Sequence, residues 1–228
     1  MLDFGAATIA EDAAAPSSVP PDTPSGIYSG LGKRAFDICL ALLLLPVVAP
    51  VVLVLWALMR CEGGPGFFGQ KRVGKNGTLF KCWKIRTMCV DAEAQLRAYL
   101  QANPQAAIEW ERDRKLTHDP RINRLGHLLR RTSLDELPQI WNVLKGEMSF
   151  VGPRPVVTVE LVKYGAAASA YVAQKPGITG LWQVSGRNDV SYDARIAMDV
   201  AYLAQRSFRK DISILFRTVS AVVMRTGR

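Results

Sequence analysis

The chain has 228 residues, of which 49% are hydrophobic, which is enough for one folded domain with a real core. Its net charge of +9 at pH 7 indicates anionic partners, although 8% aromatic residues and the lack of a stacking motif disfavour RNA. Four cysteines without a Cys-x-x-Cys pair, and only two histidines, exclude the usual zinc spacings and fit reduced thiols.

The first 30 residues differ in composition from the rest. They are rich in Ala, Pro and Ser and carry four acids but no Lys or Arg, so residues 31–228 hold 29 basic and 16 acidic residues. This composition predicts a disordered tail. The acidic start is not that of a secretory signal.

An uncharged apolar segment of 22 residues follows, Ile38–Met59. It is long enough to cross a hydrocarbon core of about 30 Å. Pro46 and Pro50 should kink or break a helix here, because each removes a backbone donor. Lys and Arg flank both ends, and positive flanks prefer the cytoplasm. These features favour a re-entrant helix, with a kinked spanning helix as the alternative and a buried core helix of a soluble protein less favoured.

A β-hairpin is predicted next. Phe67–Val73 and Thr78–Arg86 are β-prone runs on either side of a turn with Asn76-Gly77, two residue types that accept positive φ. Alternation along the second strand places Lys84 and Arg86 on one face. This pair of cations predicts an anion site, with a solvated basic strand face as the alternative.

Residues 91–131 have helical spacing and many charges. We expect separate helices to begin at Pro104 and Pro120. The last one carries an apolar stripe of Leu125, Leu128 and Leu129. A basic amphipathic helix is typical of a membrane surface, and an ordinary surface helix of a globular domain is the alternative.

The acidic pair Asp135-Glu136 is the strongest candidate for chemistry. Pro138 is tolerated only in a first helical turn, which predicts a helix start near Asp135. Acids there could simply cap the helix, for about 1 kcal/mol. Alternatively, Asp135 attacks phosphorus as a nucleophile and Glu136 helps to hold Mg²⁺. Arg130 and Arg131, one turn upstream, suit phosphoryl oxygens.

Three later segments leave alternatives open. Arg154 lies between two prolines that restrict its backbone, either to aim it at a substrate or in a plain extended connector. Residues 176–187 contain three glycines and form either a binding loop or a connection. The apolar stretch Ile212–Met224 could dock to the membrane interface or form a dimer surface.

Several blocks in this order resemble one family, the monotopic phosphoglycosyl transferases, also called the bacterial sugar transferase family. The resemblance covers roughly residues 32–225. The most specific blocks are Lys84-Ile85-Arg86-Thr87-Met88, Asp119-Pro120-Arg121, Ser133 to Gln139, Gly152-Pro153-Arg154-Pro155 and Pro176 to Arg187.

The resemblance implies an enzyme with a catalytic Asp-Glu dyad, here Asp135 and Glu136, and Mg²⁺ as cofactor. It implies that the nucleophile takes a sugar phosphate from a UDP-sugar, releases UMP and passes the group to polyprenyl (undecaprenyl) phosphate. It also implies a re-entrant membrane helix. The implied phosphate contacts are Lys84, Arg130, Arg154 and Arg187, with Arg86 a weaker candidate from its place in the motif.

Two positions depart from the family pattern. Ala49-Pro50 stands where Ser-Pro is usual at the helix break, so a hydroxyl that could bond a freed carbonyl is absent, and Pro46 adds a second break point. Ile85 replaces a common Phe, which should affect packing only. The chain is most similar to small members that prime exopolysaccharide synthesis with galactose or glucose phosphate, and we expect it to lack the spanning helices and fold-back domain of larger members.

The expected fold is mixed α/β and mainly helical, in a monotopic membrane protein with a re-entrant helix, surface amphipathic helices and a small hairpin. The expected divisions are a tail at 1–30, the re-entrant helix at 31–62 and a catalytic domain at 63–228. We expect the cytoplasmic face of the bacterial inner membrane, both termini cytoplasmic, no nucleic-acid partner and a possible homodimer. The alternative function is a non-enzymatic basic membrane adaptor of a polysaccharide assembly complex.

Overall fold

The computed structural model describes residues 27–113, 116–185 and 190–223, so nearly all of the predicted tail lies outside the described residues. The fold is mixed and mainly helical, as predicted. The helices are α1 Leu31–Cys61, α2 Ala92–Ala102, α3 Pro104–Asp113, α4 Arg124–Thr132, α5 Gln139–Lys145, α6 Thr158–Leu161, α7 Ala168–Val172, α8 Tyr192–Gln205 and α9 Phe208–Val223. The strands are β1 Phe67–Val73, β2 Leu79–Ile85, β3 Ser149–Val151 and β4 Gly177–Thr179.

The apolar segment forms one helix, α1, which by length and composition could cross a membrane. Helical structure continues through Pro46 and Pro50, so of the two predicted alternatives a break does not occur in α1, and a kink at the prolines stays a prediction. One stripe of α1 packs on the rest of the protein, namely Ala41, Leu45, Val48, Val52, Leu55 and Met59. The opposite side is exposed and apolar, with Leu42, Leu43, Val47, Leu53 and Val54.

Polar contacts fix the first turns of α1 to the globular body. Arg34 donates from Nη1 to the carbonyl of Val143 at 2.6 Å and from Nη2 to that of Leu144 at 2.8 Å, at the end of α5. The buried carboxylate of Asp37 accepts from the Ser149 hydroxyl at 2.9 Å and from the Phe150 amide at 3.1 Å. These bonds tie α1 to the elements that carry the candidate site.

The predicted hairpin is confirmed. Strands β1 and β2 are antiparallel, with Phe68 opposite Lys84. The turn uses positive φ at Asn76 (57°) and Gly77 (75°), the conformation that this pair of residue types accepts. Phe80 and Cys82, on the same face of β2 as Lys84, enter the main hydrophobic core. This face is therefore mostly buried, and it is not a solvated basic surface.

A second, parallel pair of strands joins the two loops with candidate arginines. Part of the glycine-rich segment forms β4, which pairs with β3. A Cβ on Gly177 would lie 2.2 Å from the Gly152 amide nitrogen, so the close approach of the two backbones requires glycine. Gly177 also donates its amide to the Pro153 carbonyl at 2.8 Å, which fixes the loop that carries Arg154.

The helices of the charged region begin partly where the sequence predicts. Helix α3 starts at Pro104, as expected, but α4 starts at Arg124 and the prediction of Pro120 is wrong. Helix α4 begins here because Asn123 caps it: the Asn123 side chain accepts a hydrogen bond from the Gly126 amide, which would otherwise be a free donor of the first turn. Leu129 of the predicted stripe is fully buried and Leu128 is half exposed, so the stripe packs inward only in part.

The C-terminal helix α9 has two different sides. Asp211 and Ile214 are buried, whereas Phe216 and Val219 are 74% and 62% exposed. The exposed side is apolar and fits either alternative left open by the sequence.

Candidate active site

The acidic pair lies in a tight connection between α4 and α5. Ser133 ends α4 in the left-handed region, with φ 57°, and the 3₁₀ turn Leu134–Glu136 follows. Helix α5 begins at Gln139, so the predicted start at Asp135 is wrong by four residues. Neither the 3₁₀ turn nor α5 has a side-chain cap, so Asp135 does not serve as a helix cap.

A cavity of about 870 Å³ contains the acidic pair and most of the predicted cations. This volume lies within the range of about 300–1,000 Å³ that is usual for ligand sites. Its lining includes Asp135, Glu136, Lys84, Arg86, Arg130 and Arg154. The fold thus gathers residues from β2, α4, the 3₁₀ turn and the loop after β3. Arg187, the remaining predicted contact, lies outside the described residues.

Asp135 is the buried member of the acidic pair, with 7% of its surface exposed. Burial raises the pKa of its carboxyl to about 6, and Glu136 adds to the rise, whereas Lys84 and Arg130 act in the opposite direction. A carboxylate near this pKa is mostly ionised at neutral pH and is poorly hydrated. Both properties suit a nucleophile.

Lys84 pairs with the other acid. Its Nζ lies 2.5 Å from Glu136 Oε1, and both side chains are about one third exposed, at 31% and 32%. The predicted role of Lys84 is a phosphate contact. In this structure it forms an ion pair with Glu136 beside Asp135, and the phosphate contact stays a prediction.

Arg130 is held by contacts that the sequence did not reveal. Its Nε donates to the Thr87 hydroxyl at 2.8 Å. Burial lowers the pKa of Arg130, while the charges of Asp135 and Asp119 raise it. Asp119 in turn accepts two bonds from the guanidinium of Arg121, at 2.8 and 2.6 Å, and one from its backbone amide at 3.1 Å. Thr87 and Asp119 lie inside two of the sequence blocks that carry the family resemblance. Their place in those blocks was the only feature of the sequence that could have identified them as site residues.

Arg86 has a different environment from Lys84, two residues away. Its Nη2 donates to the Met59 carbonyl at 3.0 Å and to the Gly63 carbonyl, so it caps the C-terminal end of α1. Its Nε and Nη1 have no hydrogen-bond partner in the described part of the chain, and the side chain is buried. The observed role of Arg86 is therefore to join the apolar helix to the cavity wall.

Arg154 lies exposed at the edge of the cavity. Its guanidinium carbon is 6.0 Å from the centre of the Trp182 ring, and that of Arg195 is 4.7 Å from the same ring. A smaller cavity of about 110 Å³ adjoins the first and shares Lys84, Glu136 and Arg154 with it. The proline-restricted loop thus presents its arginine at the junction of both cavities.

The residues present fit Mg²⁺ in one particular way. Among the described residues, no three His, Cys, Asp or Glu side chains form a cluster that could hold a metal alone. Mg²⁺ commonly takes one or two protein carboxylates and completes its shell with substrate phosphates and water. Asp135 and Glu136 offer two carboxylates beside cations that suit the same phosphates.

These features define a class of protein before any comparison. A buried carboxylate among arginines and a lysine, at the end of a long exposed apolar helix, is typical of a membrane-associated site for phosphoryl chemistry. A family model described as bacterial sugar transferase matches residues 28–225. The chain belongs to the bacterial sugar transferase family.

Characterised relatives include proteins much longer than this chain and proteins of its own size. The undecaprenyl-phosphate galactose phosphotransferase of Salmonella typhimurium is 48% identical over 195 residues, 86% of this chain and 41% of that protein. The exopolysaccharide production protein ExoY of Rhizobium meliloti is 45% identical over 220 residues, 94% of this chain and 96% of that protein. The UDP-glucose:undecaprenyl-phosphate glucose-1-phosphate transferase of Escherichia coli is 37% identical over 211 residues. The chain thus spans about two fifths of the longer relatives, at 41% of each.

Proposed function

We propose that this protein transfers a hexose 1-phosphate from a UDP-sugar to undecaprenyl phosphate, with Asp135 as a covalent nucleophile, as the first membrane step of exopolysaccharide synthesis. The observation that carries the proposal is the buried carboxylate of Asp135 in a cavity lined by Lys84, Arg130 and Arg154. The names of the relatives support a galactose or glucose phosphate and a polyprenyl phosphate.

The reaction has two displacements at the same phosphorus atom. An oxygen of Asp135 attacks the phosphorus next to the sugar, the phosphorus–oxygen bond to the UMP portion breaks, and UMP leaves with the electron pair. A phosphate oxygen of the acceptor then attacks the same phosphorus and releases the Asp135 carboxylate. The product is a polyprenyl diphosphate-sugar.

The surrounding residues have distinct roles in this scheme. Arg130, fixed by Thr87, is placed to stabilise negative charge on the phosphoryl oxygens as it develops. Arg154, exposed at the cavity edge, would bind the second phosphate of the donor. Lys84 pairs with Glu136 and holds it beside the nucleophile. Asp135 and Glu136 would hold Mg²⁺, which would neutralise the diphosphate and favour the departure of UMP.

The contacts of α1 support a re-entrant helix. Ala41 and Met59, 18 residues apart in α1, are both buried against the same body. Eighteen residues of straight helix span about 27 Å, close to the hydrocarbon thickness of about 30 Å. A straight crossing helix would therefore pull that charged body into the bilayer, so we propose that α1 changes direction at Pro46 and Pro50 and returns to the face that it entered. We propose the cytoplasmic face of the inner membrane; homodimerisation stays a prediction.

The test is release of UMP from a panel of UDP-sugars by the detergent-purified native chain with Mg²⁺ and undecaprenyl phosphate. We expect release with one hexose donor and none from Asp135→Asn. Asp91→Asn is the matched control, because Asp91 is an exposed carboxylate that lines the same cavity. No release with any donor from folded native protein would favour the membrane adaptor instead.

A further inference from the structure

The cavity is not bordered by polar groups alone. Phe68 and Val90 line it and remain 51% and 60% exposed, so two apolar side chains stand open to solvent at its edge. Phe68 lies opposite Lys84 in the hairpin register and therefore shares a face with the cation that pairs with Glu136. The proposed reaction on the phosphates gives neither apolar side chain a role.

Both side chains lie where the apolar helix joins the globular body. Pro65, four residues after α1 ends at Cys61, also lines the cavity. A Cβ added at Gly64 in this connection would lie 2.6 Å from Val90 Cγ2, which places Val90 directly against it. The cavity therefore opens at the foot of the membrane helix, beside the Arg86 side chain that caps it.

Apolar side chains lie on both faces of the hairpin where it meets α1. Trp56, in the last turns of α1, is 37% exposed, and its ring centre lies 6.4 Å from that of Phe67. Phe68, the next residue, lies on the opposite face of the strand, where it lines the cavity. The cationic cavity thus has an apolar edge close to the end of the exposed apolar helix. A ligand that matches this arrangement has a hydrocarbon chain at one end and a phosphate at the other.

We infer that Phe68 and Val90 form the entrance for the polyprenyl acceptor and bind its first isoprene units while its phosphate reaches Asp135. The inference rests on the proposed function and assigns the acceptor to one side of the cavity. The UDP-sugar then occupies the side bounded by Arg130 and Arg154. In both displacements the position opposite Asp135 on phosphorus is taken by a phosphate oxygen, first of UMP and then of the acceptor, so only the uridine and the isoprene chain occupy different sides of the cavity.

The experiment separates the acceptor from the donor. UMP–UDP-sugar exchange without acceptor reports the first displacement, and product formation with a short, water-soluble isoprenyl phosphate reports the second. A soluble acceptor removes any effect of membrane partitioning. We expect Phe68→Ala to lower kcat/KM for this acceptor about tenfold, the size expected when a half-buried aromatic contact is lost. Val90→Asn should act in the same direction.

Matched variants make the result specific. Leu79 is an apolar residue of the same hairpin, 54% exposed and outside the cavity lining, so Leu79→Ala controls for loss of surface hydrophobicity. Phe68→Leu keeps apolar contact but removes the aromatic ring, and we expect it to retain most of the acceptor kcat/KM. The melting temperature of each variant identifies any that fails to fold.

The outcomes are distinct. A lower kcat/KM for the acceptor in Phe68→Ala, with a smaller change in the rate of UMP–UDP-sugar exchange, supports the inference. Loss of exchange in both Phe68→Ala and Phe68→Leu would mean that the ring stacks on the uracil of the donor, and it would overturn the inference. Equal acceptor kinetics in Phe68→Ala and Leu79→Ala would also overturn it. Absence of exchange in the native chain would instead refute the covalent mechanism of the proposed function.

Discussion

Replacing Asp135 by Asn should abolish turnover and make the protein more stable. The pKa of this carboxyl rises from 3.8 to about 6 on folding, mainly because it is buried. Folding therefore favours the protonated form, and stability from this group is full below pH 3.8 and declines as pH rises through 6. Asn is uncharged, like the protonated carboxyl, so Asp135→Asn does not lose this stability as the pH rises.

The magnitude follows from the shift. About two pKa units correspond to about 3 kcal/mol at pH 8, where the native carboxyl is ionised in both states. At pH 5 the difference falls to about half, because the folded carboxyl is then mostly protonated. For a chain of this size, about 3 kcal/mol raises the melting temperature by roughly 6–12 °C.

The assay is thermal unfolding in detergent with EDTA, at pH 8 and pH 5, of the native chain, Asp135→Asn and Asp91→Asn. EDTA removes divalent cations that would hold the carboxylate ionised. Asp91 is exposed in the same cavity, so its variant should change little at either pH. A melting temperature for Asp135→Asn at or below the native value at pH 8, or a gain independent of pH, would refute the reasoning.

Three further predictions concern the hairpin, the helix and its anchor. Gly77→Ala should lower the free energy of unfolding by about 1 kcal/mol, because φ is 75° at this position. An unchanged denaturation midpoint would contradict this prediction. Pro50→Ala should straighten α1 and shift some molecules toward spanning, which labelling of a cysteine introduced in the N-terminal segment would detect; a tail still wholly cytoplasmic would count against it. Lys33→Met should lower the free energy of unfolding by about 3–5 kcal/mol, since Lys33 Nζ lies 2.6 Å from the fully buried Asp211. Adding Asp211→Asn should recover part of the loss in melting temperature, and no recovery would show that packing matters more than charge.

Local sequence patterns were sufficient for the elements that depend on local physics. The hairpin was predictable because Asn76-Gly77 accepts positive φ between two β-prone runs. The long apolar helix followed from the absence of charge over 22 residues. The positions at which helices begin were predicted less accurately. Pro104 does begin a helix, but a side-chain cap at Asn123 moved the next start beyond Pro120, and a 3₁₀ turn separates Asp135 from α5.

The candidate site also contains residues that the sequence identified and contacts that it did not. The sequence alone identified the acidic pair and most of the cations that line the cavity, because their residue types and motif order indicate phosphate chemistry. It gave Arg86 as a weaker candidate for a phosphate contact, which stays a prediction; the structure shows its Nη2 bonded to two carbonyls at the end of α1 and its side chain in the cavity lining. Arg187 stays a prediction.

The sequence by itself determined the apolar helix, the hairpin, the basic character and the nucleophile candidate. Only the tertiary structure decided which groups meet, as in the pairing of Lys84 with Glu136, 52 positions apart, and of Arg130 with Thr87, 43 positions apart. Helix and strand periods describe neighbours within one element and carry no information about which elements pack together. The burial that gives Asp135 its raised pKa comes from that packing, and so does the opening of the cavity at the foot of the membrane helix.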